Sequence, residues 1–362
     1  MVIALYLPPD WRRHFMKHLN LGRTDIRVPD LCLGTMTFGN QTSEADAHRQ
    51  MDMALDAGID FLDTAEMYPV NPVRAETVGR SEEIVGNWIR KRGRTGAFTV
   101  ATKVSGNNGG FIRDGRGFDG EVIPEAVEGS LKRLGVECID LYQTHWPARG
   151  SYMFRQNWTY DPSGQNRAET MDHMGEVLEA MDGLVKAGKI KAWGLSNESA
   201  WGTAQWLRLA EESGLPRVAT IQNEYSLLCR LYDTDLAELA VNEDVTLLSF
   251  SPLAAGFLTG KYQGGSVPEG SRMSLNPGMG GRVAERVWPA VDAYLDIATR
   301  HGLDPVHMAL AWQRTRPFPI SAIFGATTTD QLQRILDGKD VDLSDEVVKD
   351  IDAAHRAHPM PY

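Results

Sequence analysis

A strand-like run followed by a helix-like run, repeated eight times, narrows what this chain can fold into more than any other feature of it. The strand runs fall at 31–34, 59–63, 98–103, 138–145, 189–196, 218–222, 246–251 and 320–324. Strands separated by helices pair in parallel, because each crossover back to the same edge needs a helix. Eight such units predict an α/β fold, a closed (β/α)8 TIM barrel rather than an open sheet. Helix signals fill the intervals. Thr42 or Ser43 caps a helix to Ala57 with Gly58 as its stop, and Ser81 caps another to Arg92. Pro124 opens a helix that ends before Gly135; others cover 172–187, 199–213, 233–242, 286–300 and 305–315, one starts near Thr328, and one closes at 344–356. His18 to Leu33 reads as a β-hairpin, turning at Gly22-Arg23-Thr24-Asp25, that can plug the barrel bottom. Two long loops, 146–170 and 252–284, both follow strands and so share the C-terminal rim.

At 362 residues the chain is long enough for two domains, but barrels of this length form one. Residues 1–15 read as a poorly ordered N-terminal extension and 16–362 as a single barrel domain. The formal net charge of -11 argues against nucleic acid or an anionic membrane as the main partner, since both would be repelled. Cys32, Cys138 and Cys229 lie far apart, which argues against a disulfide framework and for a reducing cytoplasm. No apolar run approaches the roughly 20 residues that span a bilayer. The sequence leaves oligomerisation open.

Ionisable residues collect at consecutive strand ends. Asp63 ends the second strand, with Tyr68 five residues on; Lys103 ends the third and His145 the fourth. In a barrel this is the catalytic rim. A lysine ammonium beside a tyrosine lowers the phenol pKa, and an aspartate keeps the lysine charged and oriented. With His145 bonding a substrate oxygen, the set can give a proton to an oxygen that gains negative charge, as in carbonyl reduction. The other half of the rim suits an anion and a ring. Ser196-Asn197 ends strand five, Gln222-Asn223-Glu224-Tyr225 strand six, and Ser251-Pro252-Leu253 strand seven, with Lys261 and Arg272 in its loop. Gly325-Ala326-Thr327-Thr328 ends strand eight and opens a helix, where backbone N–H groups can hold a phosphate. Asn197 and Gln222 offer amides for a carboxamide and Tyr225 a flat face, which suits a nicotinamide dinucleotide. Ser, Asn and Gly in these places serve equally as turn residues and caps. No spacing of His, Cys, Asp or Glu suggests a metal. Met36, Phe38, Met67 and Trp146 are expected to build the substrate pocket. The aromatics of loop 146–170 form a lid over it that favours an apolar or ring-bearing carbonyl compound.

Taken together, LGTMTFG (33–39), DTAEMY (63–68), ATKVS (101–105), DLYQTHWP (140–147), GLSN (194–197), IQNEYSLL (221–228), SPLAAGFLTGKY (251–262) and GATTTDQL (325–332) resemble the aldo-keto reductase family. The likeness runs from about residue 17 onward. Within the family it leans toward the bacterial Tas-like reductases, neighbours of the potassium-channel β-subunit branch. The resemblance implies Tyr68 as general acid, tuned by Lys103 and Asp63, with His145 orienting the carbonyl. It implies Ser196, Asn197 and Gln222 on the nicotinamide amide and Tyr225 stacked on the ring. It places Thr35, Ser251, Leu253, Lys261, Arg272 and Gly325 along the cofactor, with Thr327 and Gln331 at its adenosine end. Two positions depart from the pattern: Arg334-Ile335 stands where near relatives carry Glu-Asn, and Thr327 where an arginine is frequent. The implied cofactor is NADP(H), with NAD(H) as the other candidate. Two other readings stay open: a cofactor-binding regulatory subunit like the channel β-subunits, and a barrel lyase using Lys103 as a Schiff-base amine.

Overall fold

Each expected barrel strand forms, and the eight close on themselves in chain order, the last pairing with the first. The computed structural model describes residues 17–93 and 96–362; the expectation for residues 1–15 lies outside them. The elements run β1 (His18–Asn20), β2 (Arg27–Pro29), β3 (Leu31–Gly34), α1 (Glu44–Asp56), β4 (Phe61–Asp63), α2 (Arg80–Arg92), β5 (Thr99–Val104) and α3 (Val122–Leu134). There follow β6 (Ile139–Thr144), α4 (Arg167–Lys186), β7 (Ile190–Ser196), α5 (Ala200–Ser213), β8 (Thr220–Glu224), α6 (Asp235–Glu243) and β9 (Thr246–Phe250). A short α7 (Arg272–Leu275), then α8 (Val287–Arg300), α9 (Pro305–Gln313), β10 (Ile320–Phe324), α10 (Thr329–Asp337) and α11 (Asp345–Ala357) complete the chain. Both faces of the strands are covered, as a parallel barrel requires. Outward residues such as Leu62, Val100 and Trp193 pack into one continuous core with the helices.

The inward residues form a separate apolar layer: Cys32, Phe61, Ala101, Leu141, Ala192, Ala219, Leu248 and Ile323, one from each strand region. The hairpin β1–β2, antiparallel with Leu19 opposite Val28, delivers Leu21 and Val28 into that layer and closes the barrel bottom. Burying each of these two side chains contributes roughly 2 kcal/mol. The turn between them needs Gly22: its φ is +55°, and a Cβ there would stand 2.7 Å from the Ala219 carbonyl oxygen. Thr246 Oγ fastens the hairpin, accepting from Gly22 N and donating to Asn20 O, both at 2.9 Å.

Two local expectations are corrected. Ser81 does not cap α2; the helix starts at Arg80 after Gly79, and Ser81 instead donates to the Phe38 carbonyl at 2.8 Å. The loop after β6 ends sooner than expected, because Asn166 caps α4 by accepting from Ala168 N and Glu169 N.

Candidate active site

Side chains alternate along a strand, so outside β8, where Ile221 joins the outer core and Gln222 turns inward instead, the residue two places beyond the apolar layer points into the barrel, one step nearer the C-terminal rim. From Phe61 that count reaches Asp63, from Ala101 Lys103, from Leu141 Gln143, and from Leu248 Phe250. From Cys32, Ala192 and Ile323 it reaches Gly34, Gly194 and Gly325; the Ile323 and Thr220 side chains fill the space a Cβ would need at the first two, and Gly325 is open. The polar members join. Lys103 Nζ donates to Asp63 Oδ2 and to the Thr64 carbonyl, each at 2.7 Å. Gln222 Nε2 donates to Asp63 Oδ1 at 2.7 Å and to Gln143 Oε1 at 3.3 Å. All four are buried; Lys103 and Gln143 are fully enclosed. Gln143 is a site residue missed from the sequence, although the count from Leu141 points to it.

Tyr68 and His145 cap this layer. The Lys103 ammonium lies 4.9 Å from the centre of the Tyr68 ring, and the Tyr68 and His145 rings meet edge-on at 5.7 Å. Burial opposes the charge on Lys103, but Asp63 and then Tyr68 together more than compensate and leave its pKa raised. The lysine is therefore a fixed cation. Burial pushes the Tyr68 phenol up, and Lys103 pulls against this without overcoming it. The lysine thus acts in the expected direction, but burial outweighs it, so without a ligand the Tyr68 phenol is held protonated. Burial first, and the Lys103 charge second, hold His145 well below its ordinary value. It is a neutral imidazole at pH 7, and its Nδ1 has no partner.

Beside these, Ser196 Oγ donates to the Gln222 carbonyl at 2.8 Å. Asn197, at φ 55°, donates from Nδ2 to the His145 carbonyl at 2.9 Å and to Ser196 Oγ at 3.1 Å. Its Oδ1 is buried without a partner. Thr35 is enclosed and donates to the Asp63 carbonyl at 3.0 Å. Tyr225 is elsewhere. Its ring is fully buried, stacked on Trp312 at 5.2 Å and edge-on to Tyr232 and Phe318, and its hydroxyl donates to Asp233. The ring therefore has no face on the rim. Phe250, half-buried, ends β9 on the inward register. Phe38 is likewise enclosed in the main core and does not line a pocket. Met36 is half-buried, Met67 nearly covered, and the Trp146 ring leans on His145 at 4.8 Å.

Two cations of the loop after β9 have no acid beside them. Among the described residues, no carboxylate lies within ion-pair distance of Lys261 or Arg272, whereas Arg334 is paired with Asp304 at 2.8 Å. Burial first, and then the neighbouring Arg282, push the Arg272 pKa down to about 10. Lys261 lies across Gly256, whose φ is +99° and where a Cβ would come within 2.8 Å of the lysine Cε. Ser251, at φ 55°, accepts from Arg282 at 3.5 Å, and Leu253 packs on the core. At the start of α10, Thr327 N and Oγ both donate to Gln331 Oε1, at 3.0 and 3.1 Å, close to the exposed Gly325. Among the described residues, no three His, Cys, Asp or Glu gather to hold a metal, and no helix is long and apolar enough to cross a membrane.

A closed parallel barrel with a buried lysine–aspartate pair under a tyrosine and a neutral histidine on its C-terminal rim belongs to the oxidoreductases, and the chain is a member of the aldo/keto reductase family, whose profile matches residues 30–356. It is 44% identical over 352 residues to Protein tas of Escherichia coli (strain K12), covering 96% of this chain and 99% of that one. Uncharacterized oxidoreductase YrpG of Bacillus subtilis (strain 168) is 32% identical over 345 residues, or 92% and 94% of the two chains. A probable voltage-gated potassium channel subunit beta of Oryza sativa subsp. japonica is 30% identical over 352 residues, or 95% and 98%.

Proposed function

We propose that the protein is an NADP(H)-dependent carbonyl reductase, reducing aldehydes or ketones reversibly to alcohols with Tyr68 as the general acid. The observation that carries this reading is the buried Lys103–Asp63 pair beneath a protonated Tyr68. The residues present fit the cofactor. Arg272 and Lys261 are cations lacking a carboxylate among the described residues and suit its phosphates. The unpartnered Asn197 Oδ1 can accept from a carboxamide N–H, and Phe250 offers a face for the ring.

When bound, the reduced nicotinamide supplies a hydride to the carbonyl carbon. Negative charge then grows on the carbonyl oxygen. His145, neutral, donates an N–H hydrogen bond that orients this oxygen, and Tyr68 O–H transfers its proton to it. The phenolate left behind faces the Lys103 ammonium, which stabilises it, and Asp63 holds that ammonium in place through the step. In the reverse direction the same phenolate accepts the alcohol proton. The three cysteines are free, in keeping with a reducing cytoplasm.

A second reading, a cofactor-binding regulatory subunit, draws on the name of the rice relative. The complete proton-donating set favours turnover over it. The test is fluorescence titration with NADPH and NADH of the wild type and Tyr68→Phe, followed by turnover of 4-nitrobenzaldehyde. The expected result is equal NADPH affinity in both forms and a kcat lowered at least about 100-fold by the substitution. Binding without turnover of any carbonyl by the wild type would favour the regulatory reading. A borohydride-trapped substrate on Lys103 would point to Schiff-base chemistry instead.

A further inference from the structure

The loop between β6 and α4 presents one large apolar side chain toward the site without enclosing it. Phe154 is 39% exposed, and its ring meets Trp146 edge-on at 6.2 Å. Trp146 in turn lies against His145 at 4.8 Å. Phe154 is therefore the outermost of three rings that rise from the carbonyl-orienting histidine. Its backbone is unusual. Phe154 and Arg155 are consecutive non-glycine residues in the left-handed region, at φ 56° and 64°. Such pairs recur in this chain at Arg113–Asp114 and Ala254–Ala255; each such residue costs on the order of 1 kcal/mol and persists where its surroundings impose it.

The surroundings that impose it are visible. Arg155 donates to the Gly280 carbonyl and pairs with Glu224, the last residue of β8. Glu224 is nearly covered and is gripped from a second loop by Arg282, whose Nε and Nη2 stand 2.9 and 2.8 Å from Oε1. Tyr362 adds a hydroxyl donor at 3.2 Å. Burial works to raise the Glu224 carboxyl, but Arg282 and Arg155 hold it below the usual range, so it stays ionised. One carboxylate fixed to a barrel strand thus fastens both rim loops and sets the turn that carries Phe154.

Resting on the reductase reading, we infer that Phe154 is the residue that selects the substrate, favouring carbonyl compounds with a flat apolar group beside the carbonyl, and that Arg155 positions it through Glu224. An aromatic group on the substrate would gain the Phe154 face and the Trp146 edge, contacts that a short aliphatic aldehyde cannot reach.

The test compares kcat/KM for benzaldehyde and for propanal in the wild type, Phe154→Ala, Arg155→Ala and the double variant, with NADPH affinity measured alongside. Phe154→Ala is expected to lower the benzaldehyde-to-propanal ratio about tenfold, chiefly through KM, with NADPH affinity unchanged. Arg155→Ala should lower the ratio similarly, Arg155→Lys should recover part of it, and the double variant should fall no further than either single one. A Phe154→Ala enzyme with an unchanged ratio would overturn the selection role. Effects of the two substitutions that multiply would overturn the positioning role. A wild type that binds NADPH and reduces neither aldehyde, nor any other carbonyl offered, defeats the reductase reading itself and this inference with it, an outcome told apart because it appears before any substitution is made.

Discussion

The two halves of the rim handle charge in opposite ways. Between β4 and β6, Lys103 and Asp63 are both buried and satisfy one another at 2.7 Å, with Gln222 closing the remaining carboxylate oxygen. In the loop after β9, Arg272 is largely withdrawn from water and faces another arginine rather than an acid. A closed pair is part of the folded protein's own machinery. An open, half-buried cation raises the energy of the ligand-free protein, and an anion relieves it. The difference separates residues that act on a proton from residues that hold a cofactor, before any ligand is seen.

Breaking the closed pair should have the largest effect. Lys103→Met leaves Asp63 buried without its counter-charge and should destabilise the fold by about 3–5 kcal/mol in urea titrations. The double variant Asp63→Asn/Lys103→Met should regain most of that stability without regaining turnover. If Lys103→Met alone unfolds as the wild type does, the pair is not the closed unit described. The open half should respond in the other direction. Arg272→Met is expected to raise the stability of the ligand-free protein by up to about 1 kcal/mol, because a half-buried charge without a counter-ion is removed. It should weaken NADPH binding by about 2 kcal/mol, and NADH binding less. A stability loss on removing Arg272 would contradict the contrast.

A smaller effect sharpens the first half. His145 has a folded pKa below its ordinary 6.5, so the unfolded chain takes up a proton that the folded one refuses. The stability it contributes is present above pH 6.5 and is lost as pH falls toward the folded value. Between pH 6.5 and 5.5 this amounts to about 1 kcal/mol, and His145→Gln should flatten that part of the stability profile.

The barrel itself was legible because eight strand–helix alternations leave few other topologies. Helix starts were less so. Ser81 looks like a cap, but the turn before it lets Gly79 precede the helix, and the serine hydroxyl is drawn to the Phe38 carbonyl instead. In the site, Asp63, Lys103 and His145 were legible because each ends a strand on the inward register. Tyr225 misled because simple alternation fails in β8: counted from Ala219 it falls inward, but Ile221 joins the outer core, Gln222 takes the inward place, and Tyr225 turns into the Trp312 cluster. The same count from Leu141 and Leu248 would have found Gln143 and Phe250. Phe38 lies in a turn, where alternation no longer applies. Arg272 carried its lack of an acidic partner nowhere in the sequence, since that depends on what the fold brings near it.

The hairpin at the barrel bottom has a kinetic consequence. Leu21 and Val28 fill that end, which leaves the C-terminal rim as the way in among the described residues. The groups proposed for the nicotinamide, Asn197 and Gln222, lie deep, and Trp146 and Phe154 lie outside them. Whatever occupies the deeper place must arrive first and depart last. On the proposed reading, the nucleotide binds before the carbonyl compound and leaves after the alcohol, so the oxidised nucleotide should compete with NADPH and not with the carbonyl substrate.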